Sequence, residues 1–503
     1  MSVLGALSPI AVILGLMVAL RWSAAAAGLA ALVVAVLVAL LGFRFADVAP
    51  GSGLALVGVL SEALFLTLTI LWIVFPALCI HELQKESGAL TALQARLRRL
   101  TDQPVGLALL IGWFFALFVE GAAGFGTPIA LAAPILVGLG FPPLRAVSIA
   151  LIGHAAGVSF GALGTPIEAQ VAMTGISGAL IAAPTGLLHL LLGWIMLAFV
   201  VSIARTAQGA VTPLGQAFGW GLLAGLCFFV PSALIARYVG PELPTLGGAV
   251  FGSALFIAAM RFAPRAARPA SADEPLLRAA LPYLLLILLV FATRMIPPVR
   301  ELLRSVAVRW TLFGSYSGRI EILYHPGTLL MASFVGGALL RGSGPRGLLA
   351  PARRAAGRLG PVFVALVTMI AISRLMVHAG MIATLAEAAA RYTGGAWPLI
   401  APGIGALGTF VTGSATASNI LFTSLQAQTA GHLGLPVVLI LAAQCFGAAV
   451  GNIVCPHNIV AGVATVGLSG REGEVMRLTS LACLCYAAAG GLATAALVAF
   501  HGG

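Results

Sequence analysis

Long apolar runs, each about 20 residues and so able to cross a hydrocarbon layer roughly 30 Å thick, begin at the N-terminus and recur to the end of the chain. The pattern predicts helices near 2–20, 25–42 and 55–80, then a charged stretch from His81 to Arg99, then further runs, for about 12 to 14 membrane spans in all. Two stretches interrupt it: Glu120-Gly-Ala-Ala-Gly-Phe-Gly-Thr-Pro128 and Thr412-Gly-Ser-Ala-Thr-Ala-Ser-Asn419. Hydrocarbon cannot satisfy free backbone N–H and C=O groups. Segments that resist helix formation at membrane depth therefore survive only when buried in protein or lining a wet cavity.

The chain tells the same story twice. An apolar segment at about 105–118 precedes the first interruption, an arm at about 129–139 follows, and after Pro142-Pro143 another run breaks at Gly161-Ala-Leu-Gly-Thr-Pro166. In the second half a segment at about 396–411 meets the second interruption, an arm at about 420–433 follows, and after Pro436 a run breaks at Gly451-Asn-Ile-Val-Cys-Pro456. Both breaks read Gly-x-x-x-x-Pro and lie about 290 residues apart. Arms of about 12 residues reach only about 18 Å at 1.5 Å per residue, so each interruption predicts a re-entrant hairpin. Two hairpins and two broken helices meeting at the midplane form the inverted-repeat plan of many secondary transporters, in which helix N-termini face anionic substrate groups. Small residues also let helices pack closely, but that plainer role does not account for paired motifs loaded with Ser, Thr, Asn and Glu.

Composition fits a membrane protein. Of 503 residues, 60% are hydrophobic and 8% charged, with mean hydropathy +1.08, more apolar surface than a soluble core can hide. The expected fold class is an all-α polytopic protein of the bacterial inner membrane. Its plan is scaffold helices in 1–100, a first transport repeat in 101–180, scaffold helices and cytoplasmic loops in 181–358, and a second transport repeat in 359–503. The first run lacks a positive n-region and reads as a retained helix. The net charge of +12 is almost wholly arginine, with Lys85 the only lysine. No nucleic-acid module accompanies it, so the excess reads as a topology signal and as contact with membrane lipids. The positive-inside rule puts His81–Arg99, Arg261–Arg278 and Arg341–Arg358 in the cytoplasm, which forces Arg294–Arg319 outside despite five arginines. An amphipathic interfacial helix there, or a span count off by one, would reconcile the two. Cys79, Cys227, Cys445, Cys455, Cys483 and Cys485 have no zinc-ligand spacing and read as packed thiols, so neither metal nor cofactor is expected.

At the interruptions the sequence resembles bacterial lactate permeases, a family that imports lactate and glycolate with protons. The resemblance runs through Phe118-Val-Glu-Gly-Ala-Ala-Gly-Phe-Gly-Thr-Pro-Ile129, Val137-Gly-Leu-Gly-Phe141 and Phe160-Gly-Ala-Leu-Gly164. It resumes at Phe410-Val-Thr-Gly-Ser414, Ala417-Ser-Asn419, Leu425-Gln426 and Val466-Gly-Leu468, with weaker echoes at Leu71-Trp-Ile-Val-Phe75, Lys85-Glu-Ser-Gly88 and His378-Ala-Gly-Met381. Three departures fall inside the motifs. Where the family usually has Asp after Gly-Ser this chain has Ala415, where it has an Asn-Thr pair before the first break this chain has His154-Ala155, and where a Lys is typical in the second break it has Asn452.

An ionisable group in a membrane segment is costly enough to be a functional candidate. Glu120 opens the first interruption after an apolar run, and withdrawal from water favours the neutral form of a carboxyl, so it is the leading proton carrier; His154 and Glu168 are further candidates. Arg374, with His378 one turn later, offers a bidentate fork for a carboxylate. Gly124, Gly126, Thr127, Ser414, Thr416, Ser418 and Asn419 supply the tips, and Gln444, Asn452, His457 and Asn458 line or flank the second broken helix. Glu387 and Arg391 are spaced as an exposed helix pair.

Other function classes fit less well. Gly157-Val-Ser-Phe-Gly161 matches a serine-hydrolase elbow without its strand-turn-helix context, and His81-Glu-Leu-Gln-Lys85 lacks the second histidine of a zinc protease. A channel would usually be a symmetric oligomer of fewer spans. The expectation is a proton-driven carrier for a lactate- or glycolate-like monocarboxylate. The alternative is a sodium- or proton-coupled carrier for another small organic anion such as a sulfonate. Carriers of this plan are often dimers, so a homodimer is expected by analogy alone.

Overall fold

Ala-, Leu-, Val- and Ile-rich stretches, with Pro at several helix starts and Gly at several ends, close their backbone hydrogen bonds internally, as hydrocarbon requires. The computed structural model describes residues 3–18, 20, 22–43, 45, 51–86, 101, 103–124, 126–207, 211–260, 276–342, 344–468 and 471–502. The N-terminal helices are α1 (Val3–Val18), α2 (Ala24–Gly42) and α3 (Ser52–Glu86). The first repeat contains α4 (Pro104–Ala122, with a π-helical stretch Ala108–Phe115), α5 (Thr127–Gly138), α6 (Pro143–His154) and α7 (Gly161–Thr174). Then come α8 (Gly178–Leu192), α9 (Trp194–Ala204), α10 (Leu214–Tyr238), α11 (Pro244–Met260), α12 (Leu276–Met295) and α13 (Pro297–Ser305). A hairpin of β1 (Ala307–Leu312) and β2 (Tyr316–Glu321) precedes α14 (Pro326–Leu340), α15 (Pro345–Gly357) and α16 (Leu359–His378). The chain continues as α17 (Met381–Thr393), α18 (Trp397–Thr412), α19 (Ala415–His432), α20 (Val437–Gly451), α21 (Pro456–Thr465) and α22 (Glu472–Gly502), which with α16 fill the segment 359–503 expected to be the second repeat.

Among the described residues nine helices are long and apolar enough to cross a membrane, or ten if α8 and α9, bent by 41° at their junction, form one span. Val3–Leu16, Thr127–Gly138, Pro244–Met260 and Pro326–Leu340 are shorter apolar helices. The hydropathy pattern suggests a larger count because it scores such short helices as full crossings.

Two large apolar cores organise the bundle. One joins α1–α3, α12, α14, α16 and α17; the other joins α4–α6, α8–α11, α20 and α22. The segment 181–358 thus contributes to both bodies. Residues of α7 and α19, among them Ala169, Met173, Ile420 and Phe422, belong to the first core and tie the two repeats to it.

α3 relates the two faces. Near its C-terminal end Glu82 pairs with Arg354 (3.3 Å) and Arg358 (2.8 Å), and Arg341 donates to Gln84 (2.9 Å). Near its other end Glu62 accepts the Ser317 N–H (3.1 Å), and Phe65 meets Trp310 edge-on at 5.7 Å. Glu62 and Glu82 are about 30 Å apart along the helix at 1.5 Å per residue, so the β-hairpin and the arginines of 341–358 occupy opposite faces. The other two arginine-rich loops, over 87–100 and 261–275, lie outside the described residues, as do the last two residues of the Lys85-Glu-Ser-Gly88 echo.

The fold is the expected helical membrane bundle, to which the described residues add one two-stranded β-hairpin. Its strands pair antiparallel with Trp310 opposite Gly318 and Leu312 opposite Tyr316, and the turn carries positive φ at Phe313 (51°) and Gly314 (76°). The alternation Val308-x-Trp310-x-Leu312 ahead of a turn glycine carried that signal. The arginines of 294–319 pointed instead to an amphipathic helix, which occupies only Pro297–Ser305.

Candidate functional site

Both interruptions are turns between helices that fold back on each other. In the first repeat Leu136 of α5 returns beside Gly112 of α4. In the second, Ser418 Oγ donates to the Gly405 carbonyl (2.8 Å) and Gln426 Nε2 to that of Ala401 (3.0 Å). Each first arm also runs parallel to the broken helix of its own repeat. Gly112 lies against Gly153, Leu117 against Gly157 and Glu120 against Gly161; in the second half Pro402 lies against Gly447 and Ala406 against Gly451. A methyl group on any of the glycines at 153, 157, 161, 447 or 451 would overlap the neighbouring arm. Here the close-packing role of small residues and the backbone-breaking role coincide.

The two broken helices are antiparallel. Gln170, near the end of α7, donates to the carbonyl of Leu441, near the start of α20 (2.9 Å). The two hairpins therefore open toward opposite faces, and their tips meet between them.

The local chemistry of the four interruptions differs. At the first tip Gly124 (φ 59°) and Gly126 (φ 76°) take left-handed conformations that a side chain disfavours, and Thr127 Oγ1 donates to the Gly124 carbonyl (2.6 Å). The first break passes from a 3-10 turn, Ala155–Phe160, through Ala162 (φ 42°), Leu163 (φ 58°) and Gly164 (φ 79°). Two successive non-glycine residues at positive φ are costly and persist only where surrounding packing holds them. The second tip turns at Gly413 (φ 76°), and Ser414 caps α19 by accepting the Ala417 N–H (3.3 Å). The second break is a 3-10 turn, Asn452–Val454, an extended Cys455, and Pro456 opening α21.

All four surround one cavity of about 30 Å³. The first tip contributes Glu120 and Gly124, the first break Val158, Gly161, Ala162 and Pro166, the second tip Gly413 to Thr416, and the second break Asn452. That volume holds two or three waters, at roughly 10–15 Å³ per probe sphere. It is too small for a hydroxy acid in this conformation.

Glu120 is 4% exposed and aimed at this cavity, its carboxyl packed on Gly161. Among the described residues it has neither an ion pair nor a hydrogen bond. As a carboxylate it would be an uncompensated buried charge; as an acid it can donate into the cavity. Ser414 and Thr416 line the cavity beside it, at the first turn of α19, where a helix leaves N–H groups unpaired.

Several predicted residues lie elsewhere. Ser418, Asn419, Gln444 and Gln426 form a buried network: Gln444 Nε2 donates to Ser418 Oγ (3.2 Å) and Asn419 Oδ1 (3.4 Å), and Gln426 Nε2 to Gln444 Oε1 (2.9 Å). Asn419 Nδ2 donates to the carbonyl of Pro166 (2.9 Å), joining the second tip to the first break. His154 has Nδ1 at 2.7 Å from the Ala150 carbonyl and Nε2 at 3.1 Å from Asn452 Oδ1. Asn458 donates to the same Asn452 side chain (3.0 Å), and its Oδ1 sits where a Cβ on Gly126 would press. Two of the three departures from the family pattern, His154 and Asn452, are thus in contact. Glu168 lines a larger cavity further along α7. The side chain of His457 lies outside the described set.

Arg374 does not line the site. Its Nε bonds Glu62 Oε2 (2.8 Å), which also meets His378 Nε2 (2.9 Å), so the guanidinium is committed to the α3–α16 scaffold. Tyr316 packs on His378 at 4.7 Å, and burial, with the Glu62 carboxylate adding, pushes its phenol above the usual range. Glu62 carries the same signal as Glu120, a carboxyl in an apolar run, but no glycine-rich interruption accompanies it and its partners lie far along the chain.

A second buried chain also escaped sequence reasoning. One proton arrangement satisfies it throughout: Tyr486 donates to His189 Nδ1 (2.8 Å), His189 Nε2–H to Ser159 Oγ (2.9 Å), and Ser159 to the Cys445 carbonyl (3.1 Å). It holds the first break against α20 and α22. The serine of the elbow-like motif therefore packs inside helices, without a strand-turn-helix around it.

Comparison with known proteins extends the geometry. A family model described as L-lactate permease matches residues 2–501. L-lactate permease of Streptococcus iniae is 32% identical over 415 residues, 80% of this chain and 85% of that protein. Glycolate permease GlcA of Escherichia coli strain K12 is 28% identical over 548 aligned positions, 98% of this chain and 95% of that protein. Among solved structures, MtrF of Neisseria gonorrhoeae superposes with a TM-score of 0.51 at 15% identity, covering 94% of this chain and 95% of that one, a likeness of fold.

Proposed function

The chain belongs to the L-lactate permease family, and from that premise we propose that it imports a small monocarboxylate of the lactate and glycolate kind by proton symport. It is a multi-pass protein of the inner membrane. The observation that carries the reading is that one cavity is shared by Glu120 and by the first turn of α19. The unpaired N–H groups of that turn, with the hydroxyls of Ser414 and Thr416, form an anion receptor in which the helix dipole favours a carboxylate. These donors are neutral, so the anion is released as readily as it is bound. Glu120 carries the proton: its acid form donates to the bound carboxylate, whereas its ionised form would repel it. Proton and substrate therefore bind with positive linkage. Because the cavity holds little more than water, loading requires the two tips to part, and their closure brings the proton and the anion together.

The test uses purified protein in proteoliposomes. A one-unit inward pH gradient is worth about 1.4 kcal/mol, or about tenfold accumulation at one proton per anion. The wild type is expected to approach that limit with lactate or glycolate. Glu120→Gln mimics the protonated acid and is expected to retain substrate counterflow while losing accumulation. Accumulation by the variant under a proton gradient would overturn the role of Glu120 and turn attention to His154. Accumulation that follows sodium instead would overturn proton coupling.

A further inference from the structure

On the face of the β-hairpin lies a cavity of about 680 Å³, within the size range of ligand pockets. One wall is the hairpin, with Arg309, Thr311, Ser317, Arg319 and Glu321; the floor is α7, from Glu168 to Gly175. The same helix lines the small central cavity at Pro166, so the two spaces are separated along α7 by only the two residues from Pro166 to Glu168, about 3 Å at 1.5 Å per residue.

The strand register brings an unusual pair together. Arg309 stands directly opposite Arg319 across the two strands. Like charges directly opposite on one sheet face destabilise the pairing. Arg319 and Arg304 share a single acceptor, Glu321 (2.6 and 3.0 Å), and Arg309 has no ion pair among the described residues. Glu168 and Glu242 lie across the cavity with interactions of their own. The hairpin wall therefore carries more positive than negative charge. The location is a second and independent oddity. The hairpin is on the face opposite Arg341, Arg354 and Arg358, so its arginines stand on the side where the positive-inside rule disfavours them. Two costs at one place, cross-strand repulsion and adverse topology, are both relieved by an anion arriving from outside.

We infer that this cavity is an extracytoplasmic vestibule in which the Arg309–Arg319 pair collects the monocarboxylate substrate and passes it along α7 to the central site. The inference rests on the reading of the protein as a monocarboxylate importer. The arginines act by long-range attraction and transient pairing, raising the local anion concentration at the mouth without contributing to the central site. Steering of this kind raises association rates and weakens with ionic strength.

The experiment measures initial uptake of lactate into proteoliposomes at matched internal and external salt. At 0.01 M salt, where screening extends over about 30 Å, Arg309→Gln is expected to raise KM about three- to tenfold with Vmax unchanged, a modest steering effect. At 1 M salt, where it extends over about 3 Å, the difference is expected to vanish. Arg309→Lys keeps the charge and is expected to stay within twofold of wild type. Arg309→Cys locates the effect: a membrane-impermeant cationic thiol reagent added outside is expected to restore uptake and an anionic one to depress it further. Wild type, whose one exposed cysteine is Cys485, serves as the reagent control. Equal KM for wild type and Arg309→Gln at both salt concentrations, or a loss that Arg309→Lys shares, would overturn the inference while leaving transport itself established. No uptake by wild type overturns it together with the functional reading.

Discussion

The first repeat presents at its hairpin tip a carboxyl without partners among the described residues, and the second presents hydroxyls and amides bonded to one another. Both are built on the same frame, a hairpin whose first arm runs parallel to a broken helix along a seam of glycines. The frame fixes where the polar residues converge, and the residues placed on it decide what each half does. Glu120 and three successive left-handed residues leave the first half chemically unsatisfied and locally strained. Ser418, Asn419, Gln426 and Gln444 cross-link the second half through side-chain hydrogen bonds, although Gln426 Oε1 and the hydroxyls of Thr409, Thr423 and Thr429 are buried without a partner among the described residues. Under the proposed mechanism the second half recognises the anion by geometry and the first, through Glu120, couples that recognition to the proton gradient.

The sharpest test substitutes the equivalent glycine in each seam. Gly161→Ala places a methyl group on the Glu120 carboxyl, and uptake is expected to fall by about 100-fold, the effect of roughly 1 Å of misplacement at a reacting group. Gly451→Ala places it on the Ala406 carbonyl, and the expected result is lowered thermal stability, about 1–3 kcal/mol of overpacking, with KM little changed. Equal losses of activity and stability in the two variants would erase the contrast.

A smaller effect is expected at the link between the halves. Asn419→Ala removes the bond to the Pro166 carbonyl and one acceptor of Gln444, and melting in detergent is expected to shift by about 1–2 kcal/mol, the scale of polar bonds between membrane helices. Substrate affinity should remain within about twofold, less than one neutral hydrogen bond. Weakened affinity at unchanged melting would return Asn419 to the binding site, where the sequence had suggested it.

The smallest effect concerns the contact between the two breaks. A double-mutant cycle on His154→Gln and Asn452→Ala is expected to give a coupling of about 0.6 kcal/mol in stability, the average for such bonds. Zero coupling would mean that the imidazole and the amide occupy their places independently, and that the two departures from the family pattern do not compensate each other.

The membrane class, the paired interruptions, the Gly-x-x-x-x-Pro breaks and the convergence of the two tips were legible in the chain. Each follows from one-dimensional physics: apolar length against membrane thickness, and glycine, proline and hydroxyl residues against helix continuity. Glu120 was legible for the same reason, since it opens a glycine-rich interruption at the end of an apolar run. Partnership was not legible. Arg374 and Glu62 are 312 residues apart, His154 and Asn452 are 298 apart, and Asn419 reaches Pro166 across 253. Sequence therefore assigned to the anion Arg374, which bonds Glu62, and Asn419, which bonds the Pro166 carbonyl and Gln444, and it passed over Glu62, His189, Tyr486 and the β-hairpin. Whether a buried polar group serves substrate or scaffold depends on which atoms face it, and burial makes that choice costly to leave unmet. The sequence by itself determined where the chain could not remain helical, because that is decided by each residue and its near neighbours. The tertiary structure decided which of the polar groups freed by those breaks were consumed by one another and which, Glu120 and the first turn of α19, were left facing a cavity.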